Sequence, residues 1–192
     1  MTGVASRLIN RLAGLLIAKQ TDVQIGPGSF VRWFRLGARG GRVRIGAQTI
    51  VHCRIDFDGP GLVTIGNRCY VGASHLVCRA AITIGDDTIV SWGVTIVDHD
   101  SHALQWRDRQ HDVVDWANGE KRWDSVKIDA VELGARVWVG FGATILKGVT
   151  VGDGSVIAAQ SVVTADIPPN VLAAGVPARI VRQINELSDP SD

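Results

Sequence analysis

The chain of 192 residues is long enough for one domain with a sizeable core, and its formal net charge of +1, with Lys and Arg scattered, gives no basic tract of the nucleic-acid-binding kind. Twenty-two glycines beside six prolines point to many turns rather than to disorder. Three cysteines, Cys53, Cys69 and Cys78, are odd in number and lack CxxC spacing, which argues against a disulfide framework and for buried thiols in a reducing, cytoplasmic setting.

Arg7 and Arg11 flank the start of a short apolar run, Leu12 to Ala18, whose seven residues are too few to cross a bilayer. No small-x-small cleavage site comes after it. Leu8, Leu12, Leu15, Leu16 and Lys19 read as one amphipathic helix within residues 1–20, expected to cap the first coil of a repeat array that begins near Ile25. Peripheral contact of its apolar face with a membrane is the weaker reading.

An Ile-Gly pair then returns at Ile25, Ile45, Ile65 and Ile84, at spacings of 20, 20 and 19 residues. Later the beat tightens. Leu133, Val139, Ile145, Val151, Ile157 and Val163 fall at every sixth position, followed at once by Gly134, Gly140, Leu146, Gly152, Ala158 and Thr164. Val137, Ala143, Val149, Ser155, Ser161 and Ile167 come four residues after each aliphatic. A period of six fits neither the helix nor the strand. It fits an all-β solenoid, a parallel β-helix with three hexad-long faces per coil, spanning residues 21–175. Coils should stack about 4.8 Å apart. The aliphatic residue points into the prism, a small residue takes the corner, and the fourth residue on is small because it too points inward; Cys69 occupies such a place. Inserts such as Asp58–Gly61 account for the longer early coils. Pro168-Pro169 breaks the repeat, and the helical composition of Ala178 to Leu187 predicts a C-terminal helix and tail over 176–192.

The beat is interrupted once, from Asp98 to Val126, by a polar stretch that holds three of the six tryptophans (Trp106, Trp116, Trp123) and three of the five histidines. Long excursions from regular folds are usually functional, and tryptophan wants a partner surface.

The hexad array, the segment from Val97 to His102 just before the loop, and the closing Ala174-Gly-Val-Pro-Ala-Arg179 resemble the hexapeptide-repeat acyltransferases, in particular sugar O-acetyltransferases of the galactoside, maltose, nodulation-factor and colanic-acid or capsular kind. The likeness runs from about Ile84 to Ile184; residues 1–60 share only the hexads. It implies a left-handed β-helix, a homotrimer, and acetyl-coenzyme A (acetyl-CoA) as donor to a hydroxyl of a sugar or glycan precursor, with no metal. The general crossover rule gives the opposite hand, so the left hand rests on the likeness alone.

The same resemblance implies the site. His99 falls where the family carries its general base, a task suited to an imidazole of pKa about 6.5. His102 matches a second histidine on the acceptor side. Asp98 or Asp100 would take the ring N–H and steady the imidazolium; the residues do not say which, and both read equally as solvated loop carboxylates. No side-chain nucleophile is needed. The tetrahedral oxyanion would use a backbone N–H from Trp138-Val-Gly-Phe-Gly142, where Gly140, Phe141 and Gly142 also meet the pantetheine arm. A corner role accounts fully for Gly140. Ala159 and Thr164 fall along the pantetheine and nucleotide, and Arg179 and Arg182 where guanidiniums meet the phosphates, the alternative being a solvated helix face. Ala165 stands where relatives carry lysine, so one phosphate contact is absent, with Arg179 or Lys147 to compensate. Trp116 and Trp123, near Arg107, Asp108 and Arg109, are candidates for a sugar-binding wall, or equally pack the loop on a neighbouring subunit. His75 and Ser74, one coil earlier, face the acceptor or fill a corner. Two rival functions remain. A γ-type carbonic anhydrase would need three imidazoles on zinc from His75, His99, His102 and His111, but no H-x4-H occurs. A non-catalytic scaffold leaves the joint presence of histidine segment, loop and closing motif unaccounted for.

Overall fold

The computed structural model describes residues 12, 14, 21–36 and 40–184. Within them the hexads close into a three-faced prism. One face stacks six parallel strands, Asp22–Ile25, Arg42–Ile45, Leu62–Ile65, Ala81–Ile84, Val131–Leu133 and Thr150–Val151. The second stacks Phe30–Val31, Ile50–Val51, Tyr70–Val71, Ile89–Val90, Trp138–Val139, Val156–Ile157 and Val171–Gly175. The third holds Arg54–Phe57, His75–Cys78, Thr95–Val97, Thr144–Ile145 and Val162–Val163. Register is strict: Ile45 lies on Ile65 and Ile65 on Ile84, Val71 on Val90 and Val90 on Val139, Leu76 on Ile96 and Ile96 on Ile145. All of these are buried, and together they form one apolar column. Burying such a side chain contributes about 1.5–3 kcal/mol, which is why the six-residue beat is kept.

The corners explain the small residues. A Cβ on Gly85 would stand 2.6 Å from the Gly134 carbonyl carbon in the next coil, so backbone meets backbone there. The inward position after the corner carries hydroxyls that knit coil to coil. Thr49 Oγ1 donates to the Gly66 carbonyl (2.8 Å) and accepts from the Cys69 N–H (3.0 Å); Thr88 Oγ1 does the same with Gly134 (2.9 Å) and Val137 (3.1 Å). These buried backbone groups would otherwise be orphaned. Cys69 continues the series, its Sγ 3.1 Å from the Gly85 carbonyl. Cys53 and Cys78 are buried and unpaired too, and burial pushes the Cys53 thiol up to about 12. None of the three is set up to react.

One expectation changes, at the C-terminal end. Residues 178–183 are not helical: Ala178–Gln183 forms a strand antiparallel to Val171–Gly175, pairing Ala174 with Arg179 and Leu172 with Arg182. The last coil leaves a row of open N–H and C=O groups, and satisfying that edge outweighs a helical composition that includes β-branched Ile180 and Val181. The rest of the expected C-terminal helix, and the N-terminal helix apart from helical Leu12 and Gly14, lie outside the described residues. A short helix, Trp33–Leu36, which the hexads do not announce, sends Leu36 into the core. Among the described residues no helix is long and apolar enough to cross a membrane.

The excursion leaves after Thr95–Val97, and the regular strand resumes only at Val131. Its root is zipped shut. The Asp129 N–H donates to the Asp98 carbonyl (2.9 Å), His99 bridges Ile128, and the Asp100 N–H donates to the Lys127 carbonyl (3.0 Å). Beyond the root lie two short helices, Trp106–Arg109 and Asp112–Ala117.

Candidate active site

The residues at the loop root divide by burial. Asp98 is fully buried, and its carboxylate accepts the backbone N–H groups of Arg79 (2.8 and 3.0 Å) and Ala80 (2.7 Å) at the turn of the preceding coil. Asp100 pairs with Lys147 at 2.6 Å. Neither carboxylate is the partner of the His99 ring, contrary to the sequence expectation.

His99 itself is sealed, its side chain 0% exposed. Its Nδ1 accepts the Ser101 N–H (3.0 Å), which puts the ring proton of the neutral form on Nε2. That Nε2 lies 3.3 Å from Asp58 Oδ2 without hydrogen-bonding geometry and has no other partner. Trp123 packs edge-on against the imidazole at 5.1 Å, and the Arg79 guanidinium lies 3.8 Å over the Trp123 ring. In this ligand-free geometry the ring has no open path to an acceptor hydroxyl. Burial pushes the His99 pKa below the ordinary imidazole value, with Asp98 and Asp58 opposing and Lys121 and Arg79 adding to the fall. The unfolded chain therefore binds the proton more readily. Stability should be full above pH about 6.5 and should fall as the pH drops below that. Urea midpoints at pH 7.5 and 5 should show the loss, and His99→Gln should flatten it. The shifted carboxylates, such as Asp87 held below its usual range by hydrogen bonding to Arg68, titrate below this window.

His102, three residues on, has the opposite character. Its side chain is 38% exposed, and its Nδ1 meets Asp112 Oδ2 at 2.5 Å. Trp116 packs against the ring at 5.4 Å. The Lys121 ammonium joins the two tryptophans, 4.3 Å from Trp116 and 4.4 Å from Trp123, with no hydrogen-bond partner; burial pushes its pKa down. The loop thus links both histidines through two tryptophans and one cation. His102 lines a pocket of about 230 Å³ with Asp100, Leu104, Gln105, Asp108, Ser125 and Lys127. A second pocket of about 210 Å³ adjoins it, lined by Arg107, Asp108, Asp112, Arg122, Asp124 and Ser125. Asp112, Lys121 and Asp58 were not singled out from sequence; the excursion has no period from which to read contacts.

The other expected residues lie apart from this cluster. His75 points outward, its Nε2 2.8 Å from Asp56 Oδ2, while Ser74 is buried and donates to the Ser91 carbonyl at 2.6 Å. Trp138 is exposed, and Phe141 stacks on Trp92 at 5.4 Å and 6°. A Cβ on Gly140 would stand 2.5 Å from the Ala159 nitrogen, so coil packing alone requires that glycine; Gly142 takes φ +68°, as Gln160 takes φ 60° one coil on. Ala159 and Thr164 are exposed. Arg179 and Arg182 are exposed on the terminal hairpin, donating to the Ala178 (2.9 Å) and Gln183 (3.2 Å) carbonyls. Among the described residues no three His, Cys, Asp or Glu side chains are grouped to hold a metal ion.

Comparison with known proteins agrees with this architecture. The pattern "Bacterial transferase hexapeptide (six repeats)" matches residues 130–165, and "Hexapeptide repeat of succinyl-transferase" matches residues 62–97. The Escherichia coli (strain K12) protein named "Putative lipopolysaccharide biosynthesis O-acetyl transferase WbbJ" is 33% identical over 136 residues, 70% of this chain and 67% of that one. The galactoside O-acetyltransferase of the same organism is 35% identical over 143 residues, 74% of this chain and 64% of its own length. About a third of each relative thus lies beyond the matched part. Among solved structures, AntD, an N-acyltransferase from Bacillus cereus in complex with dTDP and coenzyme A, has the same fold, with a TM-score of 0.63 at 18% identity, covering 90% of this chain and 89% of that one. So does a galactoside acetyltransferase in complex with coenzyme A, with a TM-score of 0.52 at 24% identity, covering 95% and 82%. Repeat pattern, fold and likeness to these relatives converge: the chain belongs to the hexapeptide-repeat acyltransferase family.

Proposed function

We propose that this chain transfers the acetyl group of acetyl-CoA to a hydroxyl of a sugar or glycan precursor, with His102 rather than His99 as general base. The observation that carries the assignment is the His102–Asp112 pair at the wall of a pocket, beside a His99 ring with no exposed surface. The acceptor hydroxyl enters beside His102. As its oxygen attacks the thioester carbonyl carbon, His102 Nε2 takes the proton, and Asp112 on Nδ1 fixes the tautomer and stabilises the imidazolium. The oxyanion that forms needs a backbone N–H, for which the stretch from Trp138 to Gly142 remains the candidate. Its collapse breaks the C–S bond, and His102 returns the proton to the departing thiolate. Arg179 and Arg182 keep guanidinium donors to spare for the phosphates of the donor, with Ala159 and Thr164 along its arm. Lys147 is committed to Asp100, which leaves Arg179 to compensate for Ala165.

The same reading makes the protein a homotrimer. Phe30, Ile50, Tyr70, Ile89 and Trp138 stand in register along the outside of the second face, each 39–52% exposed. Such a continuous apolar stripe suits a subunit interface. The three unpaired cysteines fit a cytoplasmic setting. Coenzyme A at 100 times its dissociation constant should stabilise the protein by about 2.7 kcal/mol, thiol release from acetyl-CoA should require a sugar, and light scattering should return three chains. No stabilisation together with no sugar-dependent release would sink the enzymatic reading.

A further inference from the structure

We infer that the acceptor extends over at least two sugar units, one in the His102 pocket and its neighbour in the adjoining pocket behind Asp112. The inference deepens the acetyl-transfer reading and rests on it. The two pockets share Asp108 and Ser125 and meet across the His102–Asp112 bond, His102 lining the first and Asp112 the second. At about 230 and 210 Å³, neither reaches the about 300 Å³ at which small-molecule sites usually begin, and the two together do. A single ring fills one lobe and leaves a second polar hollow beside the base.

The chemistry of the second lobe says what it takes. Asp112 is committed to His102 at 2.5 Å and Arg122 to Asp115 at 2.9 Å. Arg107 holds Asp108 only loosely, at 3.6 Å. Arg107 and Asp124 therefore offer donors and acceptors of opposite sign across one hollow, which suits the hydroxyls of an uncharged sugar. A diphosphate suits it poorly: three carboxylates, Asp108, Asp112 and Asp124, outnumber the two guanidiniums. The apolar part of the lining is Ala103 and Val126, with no ring on which a nucleobase could stack. The neutral neighbour in a glycan is favoured over the nucleotide of a sugar nucleotide. Because the carboxylate that orients the base also lines this lobe, a hydroxyl bonded there steadies His102, and the second unit should raise kcat as well as lower KM.

The test measures thiol release from acetyl-CoA by the full chain with three probe sets: methyl glycosides of galactose, glucose and N-acetylglucosamine; the disaccharides lactose, maltose and chitobiose; and UDP-glucose and UDP-galactose. The preferred disaccharide should exceed its component methyl glycosides about tenfold in kcat/KM, part of the gain lying in kcat. Arg107→Ala and Asp124→Asn, both at exposed positions, should each cut that preference severalfold. Equal rates for one ring and two, a preference unmoved in both variants, or a lead for the UDP-sugars would overturn the two-lobe inference while leaving acetyl transfer standing. Transfer to none of the three sets would overturn the acetyl-transfer reading, and the inference with it.

Discussion

His102→Ala should fold as the parent does and lose at least about 10²-fold in kcat, the usual contribution of a positioned general base. That is about 2.7 kcal/mol of transition-state stabilisation, since each tenfold is about 1.4 kcal/mol. The ring is 38% exposed and packs on Trp116 of the loop, so its removal should leave the prism intact. Asp112→Asn should act in the same direction and less strongly, because the amide can still meet the ring but no longer stabilises its charge. His99→Gln should instead lower the melting temperature, since that ring is enclosed by Trp123, Asp58 and the loop root. Thiol-release rates beside circular dichroism melts separate the two histidines. A His102→Ala variant that turns over like the parent would return the base to another residue.

Asp98→Ala should cost about 2–4 kcal/mol, because it leaves two part-buried backbone N–H groups without their acceptor, at about 1 kcal/mol or more each, and opens a cavity at the loop root. The carboxylate holds Arg79 and Ala80 at 2.7–3.0 Å with no exposed surface. For a chain of 192 residues this is a fall of roughly 10 °C in melting temperature. Asp98→Asn should recover part of it, since one oxygen remains to accept. A fall of under about 2 °C in the alanine variant would mean that the N–H groups find other partners, and that the carboxylate is free for chemistry.

The prism was legible from the beat alone. Each of Leu133, Val139, Ile145, Val151, Ile157 and Val163 is buried, as the six-residue period requires. The period says which way a side chain points because each coil repeats the constraint of its neighbours. Inside the excursion that logic stops. His99 and His102 are three residues apart in one polar segment, and what buries the first and exposes the second is the pairing of residues 98–100 with 127–129 and the arrival of Trp123. Those contacts are set by packing, not by spacing. Asp112, ten residues after His102, carried no more sequence signal than the other loop carboxylates. At the C-terminal end composition misled, since an open sheet edge outweighs the propensity of Ala178–Gln183.

The most direct measurement is a crystal structure of the protein with coenzyme A and a disaccharide acceptor. A sugar hydroxyl about 2.6–3.2 Å from His102 Nε2, with Asp112 still on Nδ1, is the predicted result. A hydroxyl on His99 Nε2, with Trp123 swung aside and His102 empty-handed, would contradict it.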